Sequence, residues 1–171
     1  MITIISGTNR ENSNSQKVSE SCLQILKEQG YMAQICSLSA LPDNFFSVIY
    51  DKASPGYQHL IDDFIKDADQ LVFVLPEYQG SYPGVLKAFL DAIDPKLMAE
   101  KKACLIGVAS GRAGGIRPLS HFTDVLHHLN VEVFSSQPKL SGIDGLVDER
   151  LISDSKTLER LKVHFSKFMN F

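Results

Sequence analysis

The chain has 171 residues, a length within the usual range for one compact domain. Its formal net charge of −3 and its scattered basic residues argue against nucleic-acid binding, which favours a basic stripe. No apolar run approaches the ~20 residues that a bilayer-spanning helix needs. The N-terminus enters an apolar segment without a basic n-region or cleavage site, so we expect a cytoplasmic protein with no membrane partner.

Three cysteines bear on the redox compartment and on metal binding. Cys22, Cys36 and Cys104 form no CxxC pair and have no neighbouring histidine at metal-ligand spacing. All three lie in apolar stretches, whereas a catalytic cysteine needs a basic and partly exposed setting. We therefore expect reduced, buried, cytosolic thiols and no metal site.

Apolar runs of strand length alternate along the chain with segments of helical periodicity. Strands are predicted at residues 2–6, 32–37, 71–75, 103–109 and 131–134. Helices are predicted at residues 15–29 and 58–68, after Pro83, around 119–129 and around 158–168. The third and fourth strands (LVFVL and ACLIGVA) are continuously apolar, as expected for strands that are covered on both faces.

This alternation of strands and helices predicts an α/β fold with three layers, in which a parallel sheet has helices on both faces. Right-handed crossover connections leave few topologies for such a sheet. No repeat, low-complexity tract or long linker divides residues 1–171, so we expect a single domain. Ligands bind such sheets at the carboxyl ends of the strands, which directs attention to the loops after the first, third and fourth strands.

The loop after the first strand, residues 6–15 (SGTNRENSNS), joins a buried strand to the start of a helix. It offers hydroxyls, side-chain amides, one glycine and one guanidinium, which are the groups of a phosphate-binding loop. N–H groups at the helix start favour an anion, and Arg10 can neutralise it. A plain turn with an Asn or Ser helix cap would explain the same residues without a ligand. The glycine fingerprints of P-loop and dinucleotide-binding proteins are both absent.

The loop after the third strand, residues 76–84 (PEYQGSYPG), is bounded by prolines and contains two tyrosines. Tyrosine rings stack on flat aromatic ligands, and the N–H groups of a glycine-containing turn can bind ring carbonyls and nitrogens. This loop therefore fits a planar aromatic ligand. The alternative is that Tyr78 and Tyr82 only pack on the loop and that Glu77 is solvated.

The loop after the fourth strand, residues 110–117 (SGRAGGIR), has three glycines within five residues. Glycine permits a close approach of the backbone to a ligand and unusual φ values. A flexible connection between a strand and a helix would have the same composition, so this loop alone leaves both interpretations open.

The three loops, in this order and at these strand ends, resemble the motifs of the NADPH-dependent FMN reductases. The segments SGTNRENSNS, PEYQGSYPGVLKAFLD and ASGRAGG carry the resemblance, which covers nearly the whole chain. This family includes azo-, chromate- and quinone-reducing flavoproteins. The resemblance implies a flavodoxin-like fold, with a five-stranded parallel sheet of order 2-1-3-4-5, and noncovalently bound FMN.

The resemblance also implies which residues bind the cofactor. The first loop, which holds the FMN phosphate in the family, maps to Gly7, Thr8, Arg10, Ser13, Asn14 and Ser15. The second, which contacts the isoalloxazine and ribityl groups, maps to Pro76, Glu77, Tyr78, Gln79, Gly80 and Ser81. The third, which borders the other edge of the ring, maps to Ser110, Gly111, Arg112 and Gly114. Thr8 replaces the commoner serine and keeps the hydroxyl, whereas Gln79 replaces the usual asparagine where the ring is placed.

The function implied by the resemblance is that of an FMN-dependent NAD(P)H oxidoreductase, which passes hydride through FMN to a quinone, an azo compound or free flavin. No catalytic acid, base or nucleophile is expected, because the cofactor performs the redox chemistry. Since two subunits share the site in many family members, a homodimer or homotetramer is implied. Phe45, Phe46 and Tyr50, which we expect to be exposed, are candidates for that interface.

Other functions compete with this prediction. A flavodoxin-like FMN electron carrier has the same fold without NAD(P)H turnover, but such carriers usually have a strongly acidic surface, and −3 is modest. An interaction module on the same scaffold would bind no flavin and would be colourless. The chain lacks the GxSxG motif of α/β-hydrolases and the acidic cluster that a phosphorylated receiver needs after its first strand.

Overall fold

The computed structural model describes residues 1–51 and 56–171, which form a central sheet flanked by helices. Within these residues the strands are β1 (Ile2–Ser6), β2 (Ala33–Ser37), β3 (Gln70–Pro76), β4 (Lys102–Ala109), β5 (Glu132–Val133) and β6 (Lys139–Ser141). The helices are α1 (Asn14–Glu28), α2 (Phe45–Val48), α3 (Gln58–Ile61), α4 (Gly84–Ala92), α5 (Ile116–His128) and α6 (Ser155–Phe168). A short π-helix, Asp62–Lys66, continues α3, and 3-10 turns lie at Leu38–Ala40, Pro95–Leu97 and Ile143–Gly145.

Local sequence signals set the ends of the helices. Ser13 caps α1, because its Oγ accepts a hydrogen bond from the backbone N–H three residues later at 3.2 Å. Gly30 follows the same helix with a left-handed φ of 84°, as expected for a glycine that ends a helix. Asp154 caps α6 through the N–H of Thr157 at 2.7 Å. Among the helices of the described ranges, none is both long enough and apolar enough to cross a membrane.

The strand order of the sheet is β2-β1-β3-β4, and β5 and β6 share the fifth position beside β4. Each of these strand pairs is parallel. The chain goes from β1 outward to β2 and then crosses to β3 on the other side, so the order reverses at β1 and β3. The predicted three-layer α/β fold with the flavodoxin-like order 2-1-3-4-5 is confirmed.

The fifth sheet position differs in detail from the prediction of one strand at residues 131–134. β5 pairs with the first two residues of β4, and β6 pairs with the last three. The segment between them, residues 135–138 (SSQP), ends in a proline that has no N–H for a strand ladder. The Pro138 carbonyl instead accepts a hydrogen bond from the N–H of Gly107 at 2.9 Å. This interruption brings β6 and the residues after it to the carboxyl end of β4.

The core lies on both faces of the sheet, and β3 at its centre shows why. Its alternate side chains enter opposite layers: Leu71, Phe73 and Leu75 belong to the cluster with α4 and α5, whereas Val72 and Val74 belong to the cluster with α1 and α6. Each of these five side chains is at most 1% exposed. The two packed layers hold the strands, and therefore the loops at their carboxyl ends, in fixed relative positions.

The three cysteines are free and fully buried, as predicted. Cys22, Cys36 and Cys104 are each 0% exposed. Burial raises the pKa of the Cys36 thiol to about 12 and also raises the pKa of Cys22 and Cys104. These thiols therefore stay protonated near neutral pH and are poor nucleophiles.

The aromatic residues after β2 differ in exposure, and the prediction for Phe45 was wrong. Phe45 is 2% exposed and packs edge-on against Tyr57, with ring centroids 5.2 Å apart. Phe46 and Tyr50 are 61% and 78% exposed, as expected. Because successive residues of a helix lie about 100° apart around its axis, α2 turns one of two adjacent phenylalanines inward and the other outward.

Candidate functional site

The loops after β1, β3 and β4 meet in one cleft of about 410 Å³ at the carboxyl edge of the sheet, a size typical of small-molecule sites. The predicted site residues that line it are Arg10, Ser13, Asn14, Ser15, Pro76, Glu77, Tyr78 and Ser110. Five residues that were not predicted complete the lining: Asn12, Val108, Ala109, Ile143 and Asp144. The loops converge because β1, β3 and β4 are adjacent parallel strands.

Gly7 brings the first loop against β3. Its N–H donates a hydrogen bond to the carbonyl of Val74 at 2.9 Å. A Cβ atom at Gly7 would lie 2.7 Å from that same carbonyl oxygen, which is closer than real Cβ atoms come. The close approach of the two backbones therefore requires glycine at this position.

The first loop ends at the start of α1, where backbone N–H groups point out of the helix. Within the described part of the chain, the N–H groups of Ser13, Asn14 and Ser15 have no acceptor. The Ser13 side chain is engaged in capping, and Ser15 is 1% exposed. Three unpaired N–H groups at the positive end of a helix dipole make this an anion-binding position.

Residues 78–81 form a tight turn in the second loop, directly after β3. Tyr78 and Ser81 exchange two backbone hydrogen bonds, of 2.8 and 3.1 Å. Gln79 and Gly80 lie between them with φ values of 51° and 79°, a pattern typical of a type I′ turn. The N–H groups of these two residues have no acceptor among residues 1–51 and 56–171, so they are available to carbonyl or nitrogen atoms of a ligand.

One hydrogen bond joins the first loop to this turn. Thr8 Oγ1 and the Tyr78 hydroxyl are 3.0 Å apart, and Thr8 Oγ1 also accepts the N–H of Arg10 at 3.2 Å. Thr8 is 2% exposed, whereas Tyr78 is 40% exposed. The Thr8 hydroxyl therefore fixes two loops relative to each other.

The other side of the turn contacts α5. Arg117 Nη1 lies 3.6 Å from Glu77 Oε1, and His121 Nδ1 lies 3.0 Å from Ser81 Oγ. Only 18% of the Glu77 side chain is exposed, so the alternative of a fully solvated Glu77 is wrong. The contact with Arg117 compensates part of the cost of removing this carboxylate from water.

The two tyrosines of this segment have different surroundings. Tyr78 lines the cleft, whereas Tyr82 packs edge-on against Phe122 with ring centroids 5.0 Å apart. Burial raises the pKa of the Tyr82 hydroxyl, with a smaller contribution from Asp91. Tyr82 therefore only packs, as the alternative to a ligand-binding role stated for both tyrosines. Tyr78 instead lines the cleft.

The glycines of the third loop allow close packing against neighbouring strands. Gly114 and Gly115 have positive φ values of 62° and 80°, and a Cβ at Gly114 would lie 2.8 Å from the Cβ of Lys139 on β6. A Cβ at Gly107 of β4 would collide with the carbonyl of Gly114. Gly111, by contrast, has open space around it and no positive φ. Close packing thus explains these glycines except Gly111.

The remaining predicted residues belong to the same loops but not to the lining of the cleft. They are Gly7, Thr8, Gln79, Gly80, Ser81, Gly111, Arg112 and Gly114. Sequence reasoning missed Ile143 and Asp144, which lie in the 3-10 turn after β6. Asp144 Oδ1 accepts a hydrogen bond from Asn14 Nδ2 at 2.8 Å, which ties this turn to the start of α1. The glycine-bounded run GIDG at residues 142–145 was the available signal.

The charges of the lining are one guanidinium, Arg10, and two carboxylates, Glu77 and Asp144. Arg10 is exposed and has no carboxylate within ion-pair distance in the described residues. Glu77 already has Arg117 as its partner. The first loop, with Arg10 and the unpaired N–H groups of α1, is therefore the place where an anionic ligand group is stabilised.

A strongly perturbed histidine lies outside the cleft. Burial, with Arg160 and Lys167 nearby, lowers the pKa of His164 on α6 to about 4. Its Nδ1 is 3.4 Å from Ser136 Oγ, and its ring packs against Phe134 at 5.5 Å. His164 is thus a neutral core residue. In residues 1–51 and 56–171, no group of three or more potential metal ligands comes together.

The sequence profile of the family described as NADPH-dependent FMN reductase matches residues 1–143. Among curated relatives, a 2-hydroxy-1,4-benzoquinone reductase from Burkholderia sp. is 30% identical over 143 residues, covering 81% of this chain and 76% of the relative. A quinone reductase from Escherichia coli K12 is 27% identical over 177 residues, covering 100% of this chain and 94% of the relative.

The fold is shared with solved flavoenzymes. The flavoenzyme NAD(P)H:(acceptor) oxidoreductase from Paracoccus denitrificans has a TM-score of 0.77 and 22% identity, covering 99% of this chain and 94% of that chain. A likeness at this identity shows the fold, whereas the profile match and the 30% identical relative show the family. The chain therefore belongs to the NADPH-dependent FMN reductase family and is an oxidoreductase of the NAD(P)H-dependent FMN and quinone reductase type.

Proposed function

We propose that the cleft binds FMN noncovalently and that the protein uses it to pass hydride from NAD(P)H to a small-molecule acceptor such as a quinone. The observation that carries the proposal is the presence of unpaired backbone N–H groups at two places on the cleft loops, three at the start of α1 and two on the turn. Residues 13–15 present theirs at the start of α1, and Gln79 and Gly80 present theirs on the turn. The first set suits a phosphate and the second suits the carbonyl and nitrogen edge of a flavin ring.

The side chains of the first loop fit the phosphate of FMN. Arg10 lines the cleft and has no carboxylate partner in the described ranges, so it can pair with a phosphate dianion. Ser13 and Ser15 place hydroxyls beside the same helix start. The Thr8–Tyr78 hydrogen bond holds this loop against the turn. It therefore helps to fix the distance between the two sets of N–H groups.

The chemistry that FMN supplies when bound is the acceptance of a hydride from NAD(P)H and the delivery of two electrons to the acceptor. For a quinone, NAD(P)H, one proton and the quinone give NAD(P)⁺ and the hydroquinone. The residues of the chain bind and orient, and the N–H groups of Gln79 and Gly80 stabilise negative charge at the ring edge. Exposed Arg112 is available to the phosphates of the nicotinamide nucleotide.

Three observations support the proposed acceptor, oligomeric state and location of the protein. The two relatives above are a 2-hydroxy-1,4-benzoquinone reductase and a quinone reductase, which favours a quinone over an azo compound or free flavin. Exposed Phe46 and Tyr50 support the homodimer or homotetramer that we propose. Three buried, free thiols support a cytoplasmic location for this single domain of residues 1–171.

An absorption spectrum of the pure protein tests the proposal directly. We expect the protein, as isolated or after incubation with FMN and removal of the excess, to show the near-ultraviolet and visible absorption bands of a bound flavin, with about one flavin per chain. Anaerobic NADPH is expected to bleach the longer-wavelength band. A protein that remains colourless after incubation with FMN contradicts the proposal.

Steady-state oxidation of NADPH in the presence of a benzoquinone separates a reductase from an electron carrier. A reductase oxidises NADPH faster than the same concentration of free FMN does, whereas a carrier does not. If the protein contains flavin but shows no such turnover, the result would support FMN binding and contradict the proposed activity.

A further inference from the structure

We propose that Arg117 and His121 of α5 are positioning residues, which hold the turn of residues 77–81 and thereby set the place of the flavin ring. This inference rests on the proposed function, because it concerns the ring-binding part of the same cleft. Both residues lie outside the lining of the cleft, and neither was predicted from the sequence as part of the site.

Arg117 forms an ion pair with the start of the turn and lies near its tip. Its Nη1 lies 3.6 Å from Glu77 Oε1, on a carboxylate whose side chain is only 18% exposed. Its Cδ lies 3.7 Å from the position that a Cβ of Gly80 would occupy. The aliphatic part of Arg117 therefore passes close to the tip of the turn while its guanidinium holds the base of the turn.

His121 contacts the last residue of the turn. Its Nδ1 lies 3.0 Å from Ser81 Oγ, a normal hydrogen-bond distance. His121 follows Arg117 by four residues on α5, so the two side chains lie on the same face of the helix. One helix face thus contacts Glu77 at the start of the turn and Ser81 at its end.

The helix that carries these two residues is itself firmly packed. Phe122, adjacent to His121, is 0% exposed and contacts two aromatic rings edge-on. Its ring centroid lies 4.8 Å from that of Phe73 on β3 and 5.0 Å from that of Tyr82, just after the turn. Phe122 therefore anchors α5 to the strand before the turn and to the residue after it, so that Arg117 and His121 act from a fixed support.

The turn needs such support because little else holds its tip. Gln79 is exposed and has a φ of 51°, a conformation in which a residue with a Cβ is less stable than glycine. On the side away from α5, the Tyr78 hydroxyl bonds Thr8 at 3.0 Å. The backbone of the segment is held by the two bonds between Tyr78 and Ser81 and by the Glu77 N–H, which donates to the Val108 carbonyl at 3.1 Å. Without Arg117 and His121, the polar side-chain contacts of the turn in the described residues would be reduced to the Thr8–Tyr78 hydrogen bond. The directions of the Gln79 and Gly80 N–H groups would then vary more.

This placement predicts an effect on the ring and not on the phosphate. The unpaired N–H groups of residues 13–15 belong to α1 and have no contact with Arg117 or His121. Loss of the two α5 contacts should therefore weaken the binding of FMN and of riboflavin, which lacks the phosphate, by the same factor. A disturbance of the first loop should weaken the binding of FMN alone.

The test compares the parent protein with Arg117→Met, His121→Phe and the double variant. His127→Gln is the matched control, because His127 is exposed on the same helix and its side chain has no hydrogen bond or ion pair in the described residues. Dissociation constants for FMN and riboflavin are measured by quenching of flavin fluorescence. The rate of flavin reduction by NADPH is measured anaerobically at saturating FMN, together with kcat, KM and the unfolding temperature of the apoprotein.

We expect the double variant to bind both flavins about tenfold more weakly, which corresponds to two contacts of ordinary strength. We also expect the double variant to show slower flavin reduction at saturating FMN and a lower kcat. The His127→Gln control should behave as the parent does. Arg117→Lys keeps the charge and His121→Asn keeps a hydrogen-bonding atom near the original position. These variants should therefore show smaller losses of flavin affinity and of reduction rate. The unfolding temperature of the apoprotein should stay close to that of the parent.

Equal flavin affinity and equal reduction rate in the parent and the double variant would overturn the inference while leaving the proposed function intact. A loss for FMN but not for riboflavin would also overturn it, because the two residues would then act on the phosphate. A large fall in the unfolding temperature without partial rescue by the conservative variants would assign Arg117 and His121 a purely structural role. A parent that binds neither flavin would contradict the proposed function itself.

Discussion

The two ends of the cleft are built by different means. At the start of α1, backbone N–H groups are presented by a regular helix, and Gly7 fixes the preceding backbone against β3. At the turn of residues 77–81, the N–H groups of Gln79 and Gly80 are presented by a projecting loop, which is held by side chains of the first loop and of α5. The first end is determined by secondary structure and the second by side-chain contacts.

This difference indicates where the site can vary. An end formed by a helix start and a buried glycine tolerates few changes, because any change moves the main chain. An end that is held by polar side-chain contacts can be adjusted residue by residue, each with a modest change in free energy. We therefore expect substitutions at the start of α1, the proposed phosphate end, to act strongly. Substitutions at the turn of residues 77–81, the proposed ring end, should tune affinity and rate.

The largest expected effect is that of Gly7→Ala at the phosphate end. The new Cβ would lie 2.7 Å from the Val74 carbonyl oxygen, and both groups belong to packed backbone. We expect a loss of about 1–3 kcal/mol in the free energy of unfolding and a loss of FMN binding. Urea unfolding and flavin fluorescence measure the two effects. Gly111→Ala is the control, because Gly111 has open space around it, and its stability should change by less than about 0.5 kcal/mol.

Arg10→Met should weaken FMN binding about tenfold, since a charge-assisted hydrogen bond contributes roughly 1.5 kcal/mol or more. Riboflavin binding should be unchanged, because riboflavin has no phosphate. Flavin fluorescence titrations of both ligands measure this, with Arg150→Met as a control at an exposed arginine outside the lining. Equal losses for FMN and riboflavin would contradict the assignment of Arg10 to the phosphate end.

Asp144→Asn should strengthen FMN binding by about two- to fivefold. The Asp144 carboxylate lies near the start of α1, where it accepts a hydrogen bond from Asn14 and would repel a phosphate bound there. An asparagine oxygen can still accept the Asn14 hydrogen bond, so the change removes mainly the charge, an effect of about 0.5–1 kcal/mol at an exposed position. Riboflavin binding serves as the internal control. Weaker FMN binding in this variant would show that Asp144 supports the cofactor.

The smallest expected effect is at the tip of the turn. Asparagine tolerates a φ of 51° better than glutamine does, so Gln79→Asn should raise the free energy of unfolding by about 0.5 kcal/mol or less. Gln24→Asn on the exposed face of α1 is the control with the opposite sign, because asparagine is a poorer helix former. Differential scanning calorimetry measures both. A destabilised Gln79→Asn variant would mean that the glutamine side chain has a stabilising role.

Most of the fold was predictable because its strands and helices have strong apolar patterns. The run LVFVL predicted β3, and the spacing of apolar residues predicted α1, α5 and α6. The split of the fifth sheet position was not predictable, because β6 has three residues, too few for a periodicity. The burial of Phe45 was also missed, because the inward face of a single helical turn depends on its contact with Tyr57.

The site was predictable where residues follow the central strands directly. Sheet order brings the loops after β1, β3 and β4 together, and eight of the predicted residues line the cleft. Asp144 was missed because it reaches the cleft through β6, the strand that the sequence did not reveal. Arg117 and His121 were not assigned to the ring end because their role depends on how α5 packs against the turn.

The central claim is that the cleft binds FMN with its phosphate at the start of α1 and its ring at the turn. The most direct test compares the affinity of the parent protein for FMN and for riboflavin, by fluorescence titration, with inorganic phosphate as a competitor. We expect FMN to bind about 100-fold more tightly, as several charge-assisted hydrogen bonds imply, and phosphate to compete with FMN but not with riboflavin. Equal affinity for the two flavins, or no binding of either, would contradict the account.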